Sequence, residues 1–455
     1  MEQIELKRVL GLGSAVAIIV GYTIGAGIFV LIGPLAFKSG SALWVTFLLA
    51  SIPALFMCFT AAQVGSALPV SGANYVLISR TMGPFWGFMT VWTILITTMI
   101  GVPLIAYGFA EYLSFFIEGL DPMWTAIVIV LLFGGVNLLG IRFMGWIQNL
   151  MVLTFIIAIL IFGFTGLFHI QPENALPIFQ KGVSPVFIAA IPAFFSFVGF
   201  GVIVELGEEI KNPSRNIPLS LLISFIIVIT IYLLASFTLT GVLSWQSLEH
   251  TKGAIVIASR EFLPTWAIIL IQIGAIMAAF TSINAILATS PREVYALARD
   301  RIFPVWLAHT GKRFKTPYRS IILVTLCSAG GILLGAGIVE YAFVTVMGIM
   351  AIQIGVAIGV IRLKTILPDH YDRASFKLKG FWRWFWPIGA ITISLVYILI
   401  GFAESPKSVG IFFGTVLFGG VVYIERKWRL KKNGIDMSDI LEKEITGLLY
   451  QDHQK

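Results

Sequence analysis

Long uninterrupted apolar runs constrain this chain more than any other feature of its sequence. Residues 221–236 read LLISFIIVITIYLLAS, and similar runs recur from the N-terminus to about residue 425. Charged residues make up only 12% of the 455 residues, against roughly 25% in a typical soluble protein. Backbone groups in a bilayer must be hydrogen-bonded within the protein, and these runs lack the alternation of a barrel strand. The sequence therefore predicts an all-α membrane protein.

The apolar runs predict twelve transmembrane helices. A transmembrane helix needs about 20 predominantly apolar residues, and the runs are separated by short polar or charged loops. The predicted spans are residues 9–37, 42–66, 84–116, 122–141, 145–169, 184–208, 217–243, 264–298, 319–337, 340–363, 384–403 and 408–425.

Basic residues are distributed unequally between the two sides of this arrangement. Positively charged loops stay in the cytoplasm, and an inside N-terminus leaves only five of the 31 Lys and Arg residues outside. We therefore expect a multi-pass protein of the cell (cytoplasmic) membrane with cytoplasmic N- and C-termini. The net charge of +8 follows from these loops and indicates no nucleic acid partner. The five outside residues are Lys38, Lys181, Lys252, Arg260 and Lys407.

Glycines interrupt two of the spans near mid-membrane. The first span reads GYTIGAGIF over residues 21–29, and the sixth reads FSFVGFG over residues 195–201. Glycine lets a helix unwind there and lets a ligand approach the backbone. The Gly21-to-Gly25 spacing equally fits close packing of membrane helices. Because the two interruptions lie five spans apart, the pair favours the binding site of an inverted-repeat transporter.

Unwinding at these glycines would expose backbone groups of both polarities. Free amides at the start of the second half-helix, near Gly27 and Ile28, favour an anion. Carbonyls near residues 20–23 and residues 195–198 favour a cation. A small zwitterion, with its carboxylate on the amides and its ammonium on the carbonyls, fits this arrangement.

Four segments carry the patterns of a known family. They are GYTIGAGIF (21–29), LPVSGANYVLISRTMGPFWGFMTVW (68–92), FSFVGFGVIVELGEEIKNPSRNIP (195–218), and PREVYALARDRIFPVWLA (291–308) followed by TPYRS. In this order they resemble the amino acid–polyamine–organocation (APC) permeases. The resemblance implies a LeuT-like 5+5 inverted repeat with broken helices 1 and 6. It implies a first repeat over 1–183 (TM1–5), a second over 184–363 (TM6–10), TM11–12 over 364–425 and a cytoplasmic tail over 426–455.

The resemblance also implies which residues bind the substrate. The carboxylate-binding amides fall at Gly25, Ala26 and Gly27, and Phe200 stands where the family often has an aromatic residue near the substrate. The ammonium-binding carbonyls fall at Tyr22, Thr23, Phe195, Ser196 and Val198.

Two positions depart from the family pattern. Many members have an acidic residue directly after the aromatic residue of span 6, where this chain has Gly201. Some proton-coupled members have a lysine in span 5, and Phe155 takes its place here. Proton coupling through that lysine is therefore not supported.

Two groups of residues are candidates for ion coupling. Thr281 and Ser282 resemble a hydroxyl pair that completes a sodium site against span 1 carbonyls, such as those of Val20 and Thr23. The alternative is that both hydroxyls bond back to their own helix. Glu205 is the second candidate, because an ionisable group inside a span is costly and usually functional. It would carry a proton, or it would lie at the mouth of the span and pair with Arg292 or Lys211.

These observations predict a secondary active transporter that moves amino acids by alternating access as an ion-coupled symporter. Amino acid exchange (antiport) and amine or polyamine transport remain alternatives. A channel would need filter-like repeats or rings of charge, and an enzyme would need metal ligands or a nucleophile–base set inside the spans. We expect no cofactor or metal beyond Na⁺ or H⁺ as the coupling ion. Few acidic side chains are available to meet a dibasic substrate, so a small or neutral amino acid is expected.

Overall fold

The chain folds almost entirely into helices. The computed structural model describes residues 8–248, 251, 253–311, 314, 316–333, 338–404, 406–432 and 434, so the tail predicted from residue 435 onward lies outside the described residues. The described part contains sixteen α-helices. They are α1 (Leu12–Ser39), α2 (Leu43–Ala67), α3 (Ala73–Met82), α4 (Pro84–Leu113), α5 (Pro122–Leu138), α6 (Ile141–Gly166), α7 (Pro172–Ala175), α8 (Ser184–Phe194), α9 (Pro213–Val242), α10 (Ala254–Ser259), α11 (Thr265–Arg299), α12 (Tyr318–Ile332), α13 (Ile338–Ile366), α14 (Pro368–Arg373), α15 (Trp382–Glu404) and α16 (Pro406–Lys432).

Several of these helices are long and apolar enough to cross a membrane. The described residues contain eight such helical stretches, the first of which, Leu12–Ala67, joins α1 and α2. The apolar helices α5 and α12 are shorter. Each predicted span overlaps one of the helices, which confirms an all-helical membrane protein; the number of twelve crossings stays a prediction. The eight stretches are Leu12–Ala67, Pro84–Leu113, Trp146–His169, Ser184–Glu205, Pro213–Val242, Thr265–Arg299, Tyr341–Ile366 and Trp382–Glu404.

Local sequence signals determine where several helices begin. α4, α5 and α9 each have proline in the first turn, where its missing N–H costs no helical hydrogen bond. The carboxylate of Asp121 caps α5 by accepting a hydrogen bond of 2.9 Å from the Trp124 amide. Such a cap satisfies a backbone donor that has no partner inside the helix.

α1 lies at the centre of the helix bundle. It packs against α6, α9, α11 and the residues that follow α8, and most of its side chains are buried. Gly25 is its one residue with non-helical backbone angles, at φ 1° and ψ −129°. The interruption therefore lies inside the glycine motif that the sequence singled out.

The second interruption extends over many residues. α8 ends at Phe194, and three 3₁₀ turns follow: Phe195–Gly201, Ile203–Glu205 and Gly207–Glu209. The 3₁₀ helix bonds residue i to i+3 and is normally short. The sixth predicted span is thus α-helical only in its first half, and we refer to residues 195–209 as the 3₁₀ segment.

Candidate functional site

The two interruptions touch each other through their backbones. A Cβ atom added to Gly27 would lie 2.6 Å from Ser196 Oγ and 2.7 Å from Ser196 Cα. A Cβ atom added to Gly199 would lie 2.7 Å from the Thr23 backbone nitrogen. Only glycine fits at such separations. The glycine motif had two interpretations, close helix packing and a helix interruption. Both therefore apply to the same stretch of α1.

A tyrosine from α9 joins the two interruptions. The Tyr232 hydroxyl lies 2.6 Å from the Thr23 carbonyl oxygen and 2.6 Å from that of Ser196. Both carbonyls were predicted to bind a substrate ammonium group. The Tyr232 side chain is fully buried, with its ring packed between Phe47 and Phe197. The structure thus fixes two predicted site carbonyls with a residue that the sequence reasoning missed.

The predicted hydroxyl pair of α11 contacts the carbonyls of α1. Thr281 Oγ1 lies 2.9 Å from the Gly21 carbonyl oxygen, and Ser282 Oγ lies 2.9 Å from that of Tyr22. The sequence named the carbonyls of Val20 and Thr23 for this contact. The observed partners, Gly21 and Tyr22, are their immediate neighbours in the chain. Thr281 also donates to Ala278 of its own helix at 2.7 Å, so the back-bonding alternative is present at the same residue.

A chain of buried amides extends from this hydroxyl pair. Gln148 Nε2 of α6 donates to the Thr281 carbonyl at 3.2 Å, and its Oε1 accepts from Asn284 Nδ2 at 3.0 Å. Asn284 Oδ1 in turn accepts from Asn137 Nδ2 of α5 at 3.1 Å. Gln148 also abuts Gly21. α6 therefore brings a polar group to this junction through Gln148, seven residues before Phe155.

A cavity of about 90 Å³ adjoins the interruptions. Tyr22, Val198 and Gly201 contribute to its wall from the interrupted segments, and Glu205 and Glu293 contribute from further along their helices. A cavity needs roughly 10–15 Å³ to hold one water molecule. The cavity therefore has room for several waters or for a small polar group.

Glu205 has a different partner from those considered from the sequence. Its Oε1 accepts a hydrogen bond of 2.5 Å from Asn74 Nδ2 of α3. Arg292, one of the two expected partners, instead forms a buried ion pair of 3.0 Å with Glu209. Pairing of Glu205 with Arg292 is therefore wrong, because the guanidinium is directed to the end of the 3₁₀ segment.

The other predicted substrate residues are distributed around the same junction. Ser196 Oγ is buried and has no hydrogen-bond partner among the described residues, and the Phe195 ring lies beside Gly101 of α4. Phe200 packs against Phe225 of α9 with ring centres 5.7 Å apart. Ala26 lies in α1 next to the irregular Gly25. Most of the predicted residues thus converge, while the Phe200 ring packs toward α9.

The sequence contained a signal for one residue that was missed. Glu293 lies inside the predicted span 264–298, where the cost of a buried charge marks it in the same way as Glu205. Asn74 lies in a segment singled out for the resemblance and Gln148 in the predicted span 145–169, yet a polar residue in such a stretch does not identify its partner. Their roles emerge only from the packing of α3, α6 and α11.

An all-helical chain with two contacting helix interruptions and an adjoining cavity has the features of a membrane transporter. Residues 10–422 match the family model described as amino acid permease. The chain belongs to this family, within the APC superfamily. It is therefore a transporter and not an enzyme.

Three relatives illustrate the range of the family. The branched-chain amino acid permease BcaP of Bacillus subtilis (strain 168) is 28% identical over 83% of this chain and 84% of that protein. The methylthioribose transporter of the same organism is 28% identical over 82% of this chain and 84% of that protein. The vacuolar cationic amino acid transporter 2 of Arabidopsis thaliana is 27% identical over 82% of this chain and 62% of that protein.

Proposed function

We propose that this chain is a secondary active transporter that moves amino acids by alternating access around the two helix interruptions. The observation that carries the proposal is the backbone contact of Gly27 with Ser196 and of Gly199 with Thr23, beside a cavity. Paired interruptions of this kind mark transporter sites because they present backbone groups to a substrate inside the membrane. The branched-chain and cationic amino acid specificities of two relatives are consistent with this substrate class.

The proposed substrate pose follows from the polarity of the backbone. The substrate carboxylate binds the amides of Gly25, Ala26 and Gly27, at the start of the second half of α1, where the helix dipole favours an anion. The substrate ammonium binds carbonyls at the end of the first half and in the 3₁₀ segment. Those carbonyls belong to Tyr22, Thr23, Phe195, Ser196 and Val198.

The proposed architecture is the twelve-span LeuT-like 5+5 inverted repeat. Residues 1–183 form the first repeat, 184–363 the second, 364–425 the last two spans and 426–455 a cytoplasmic tail. The overlap of each predicted span with a helix supports this division. The distribution of Lys and Arg supports cytoplasmic termini in the cell membrane.

The proposed coupling is ion symport, with sodium as the first candidate ion. Thr281 and Ser282 bring two hydroxyl oxygens to the carbonyls of Gly21 and Tyr22, and a hard cation prefers such oxygen ligands. Glu205 is the candidate carrier for a proton instead. Exchange of one amino acid for another uses the same cycle and is the alternative.

Uptake by proteoliposomes tests the proposal. A panel of radiolabelled amino acids is offered to the purified protein, with sodium and pH gradients imposed separately. We expect uptake of at least one amino acid above empty liposomes, accelerated by an inward sodium gradient. Acceleration by an inward proton gradient alone would favour Glu205 as the carrier, and uptake only into preloaded liposomes would favour exchange. Uptake of no amino acid above the level of empty liposomes rejects the proposed function.

A further inference from the structure

Two acidic side chains line the cavity, and most of their carboxyl oxygens accept no hydrogen bond from the described residues. The Glu205 and Glu293 side chains are buried, with residue exposures of 3% and 1%. Glu205 Oε2 and both carboxyl oxygens of Glu293 have no hydrogen-bond partner among the described residues. Both side chains line the same cavity. We refer to them as the Glu205–Glu293 pair.

Among the described residues that line the cavity, none is basic and could pair with these carboxyls. Glu205 and Glu293 are the charged residues of the cavity wall, whose other members are neutral. The nearby arginines are engaged elsewhere: Arg292 pairs with Glu209 at 3.0 Å, and Arg80 pairs with Asp300 at 2.5 Å. The cavity thus has an acidic end, and the described residues of its wall contribute no basic side chain to pair with these carboxyls.

Burial makes a positively charged ligand the natural complement of this pair. A buried charge is costly unless it is paired and hydrogen-bonded, and ionisable groups inside membrane spans usually mark a substrate or ion pathway. Asn74 holds Glu205 Oε1, which leaves Oε2 and the Glu293 carboxyl oxygens available to accept hydrogen bonds. Ammonium and guanidinium groups supply several N–H donors together with a positive charge.

We propose that the Glu205–Glu293 pair binds the positively charged end of a substrate side chain, so that the transported class is cationic amino acids. This inference rests on the proposed function, because the backbone of the interruptions holds the substrate's α-carboxylate and α-ammonium groups. Glu205 lies further along the 3₁₀ segment than the carbonyls of residues 195–198 that would hold the α-ammonium group, and Glu293 lines the same cavity from α11. A long side chain with a terminal charge suits this separation.

The inference departs from the expectation of a neutral substrate. That expectation rested on a shortage of acidic side chains facing the site. The structure adds Glu293 to Glu205 on the wall of one cavity, although 87 residues separate them in the sequence. With two carboxyls, the acidic end can pair with a cationic group and also accept hydrogen bonds from its remaining N–H donors.

Arginine and citrulline provide the decisive comparison, since citrulline has nearly the same shape and lacks the side-chain charge. Binding of each to the purified full chain is measured by scintillation proximity, and both are offered to proteoliposomes. We expect arginine to bind at least tenfold more tightly than citrulline. Glu293→Gln and Glu205→Gln should each reduce that preference to less than threefold. Glu208→Gln is the matched control, since Glu208 lies in the same 3₁₀ segment and pairs with Arg299 outside the cavity, and it should keep the preference.

Each other outcome decides against the inference. If the parent chain binds citrulline or leucine as tightly as arginine, the cationic subsite is rejected while the proposed function stands. If Glu293→Gln abolishes uptake of a neutral amino acid driven by a proton gradient, without any arginine preference in the parent, the pair carries a proton instead. If no amino acid binds or is taken up, the proposed function fails as well. Should Glu293→Gln not yield folded protein, the parent comparison and Glu205→Gln decide.

Discussion

The two helix interruptions differ in extent. α1 departs from helical geometry at Gly25 alone and then continues to Ser39, whereas the 3₁₀ segment leaves α-helical geometry from residue 195 to residue 209. α1 is surrounded by packed helices, so its backbone has little freedom to rearrange. The short interruption is therefore suited to hold the invariant α-carboxylate of a substrate, and the far end of the long one to line the variable part.

Packing around individual glycines shows the same contrast. A Cβ atom on Gly27 would be blocked by the backbone of Ser196. A Cβ atom on Gly201 would meet only the flexible end of Met57, with its sulfur at 3.1 Å. Gly201 also lines the cavity. The 3₁₀ segment thus has one tightly packed side and one side that faces the cavity, whereas all three glycines of the α1 motif, Gly21, Gly25 and Gly27, are closely packed.

Gly27→Leu is expected to have the largest effect. Overpacking at a site blocked by backbone costs about 3 kcal/mol, which corresponds to roughly a 100-fold loss of substrate affinity. The measurement is binding and uptake of the amino acid that the parent chain takes up. Gly135→Leu is the control, because Gly135 has no atom within 4 Å of an added Cβ. Parental uptake by Gly27→Leu would refute the assignment of α1 as the rigid half of the site.

Gly199→Ala tests the reciprocal contact with a smaller change. The added methyl group would lie 2.7 Å from the Thr23 backbone nitrogen, so one of the segments must shift. We expect affinity to fall about tenfold, for a cost of about 1.4 kcal/mol. Gly13→Ala in α1 makes the same chemical change where nothing lies within 4 Å. Equal substrate affinities for the two variants would mean that the 3₁₀ segment moves freely to make room for the methyl group. The contact of Gly199 with Thr23 would then not constrain the site.

Hydropathy and glycine positions predicted the helices and the place of the α1 interruption. The bilayer imposes this regularity, because each crossing needs a long apolar helix. The contacts of that interruption could not be predicted in the same way. Successive helix residues point about 100° apart, so a shift of one position decides whether Gly21 or Val20 meets Thr281. Hydropathy does not fix that rotation, and the hydroxyl pair was accordingly matched to neighbouring carbonyls.

Long-range partners were the other part that one sequence could not supply. Tyr232 follows Ser196 by 36 residues and Thr23 by 209 residues, yet its hydroxyl contacts both carbonyls. A tyrosine in an apolar span is also common as a simple packing residue. Its position at the junction depends on how α9 crosses α1. Such a crossing is determined by side-chain packing along both helices and leaves no local pattern.

Tyr232→Phe is expected to weaken the junction without dismantling it. The change removes one hydroxyl that lies 2.6 Å from two carbonyls, and a hydrogen bond contributes about 1 kcal/mol net. We expect affinity to fall about fivefold and the thermal midpoint of the purified protein to decrease. Tyr107→Phe removes a comparable hydrogen bond to the Ile332 carbonyl, at 3.0 Å, away from the interruptions. It should lower stability without changing affinity, and an equal loss of affinity in both variants would contradict the assigned role of Tyr232.

Replacing both Thr281 and Ser282 with alanine is expected to have the smallest effect on transport measured without sodium. The double variant removes hydrogen bonds to the carbonyls of Gly21 and Tyr22 but leaves the α1 backbone in place. We expect less than a threefold change in sodium-free uptake, which corresponds to less than about 0.7 kcal/mol, and complete loss of stimulation by a sodium gradient. Thr154→Ala, which removes a hydroxyl bonded to its own helix at 3.0 Å, should retain stimulation. Full stimulation by sodium in the double variant would show that these hydroxyls do not bind the coupling ion. α1 would then have a role in substrate binding only.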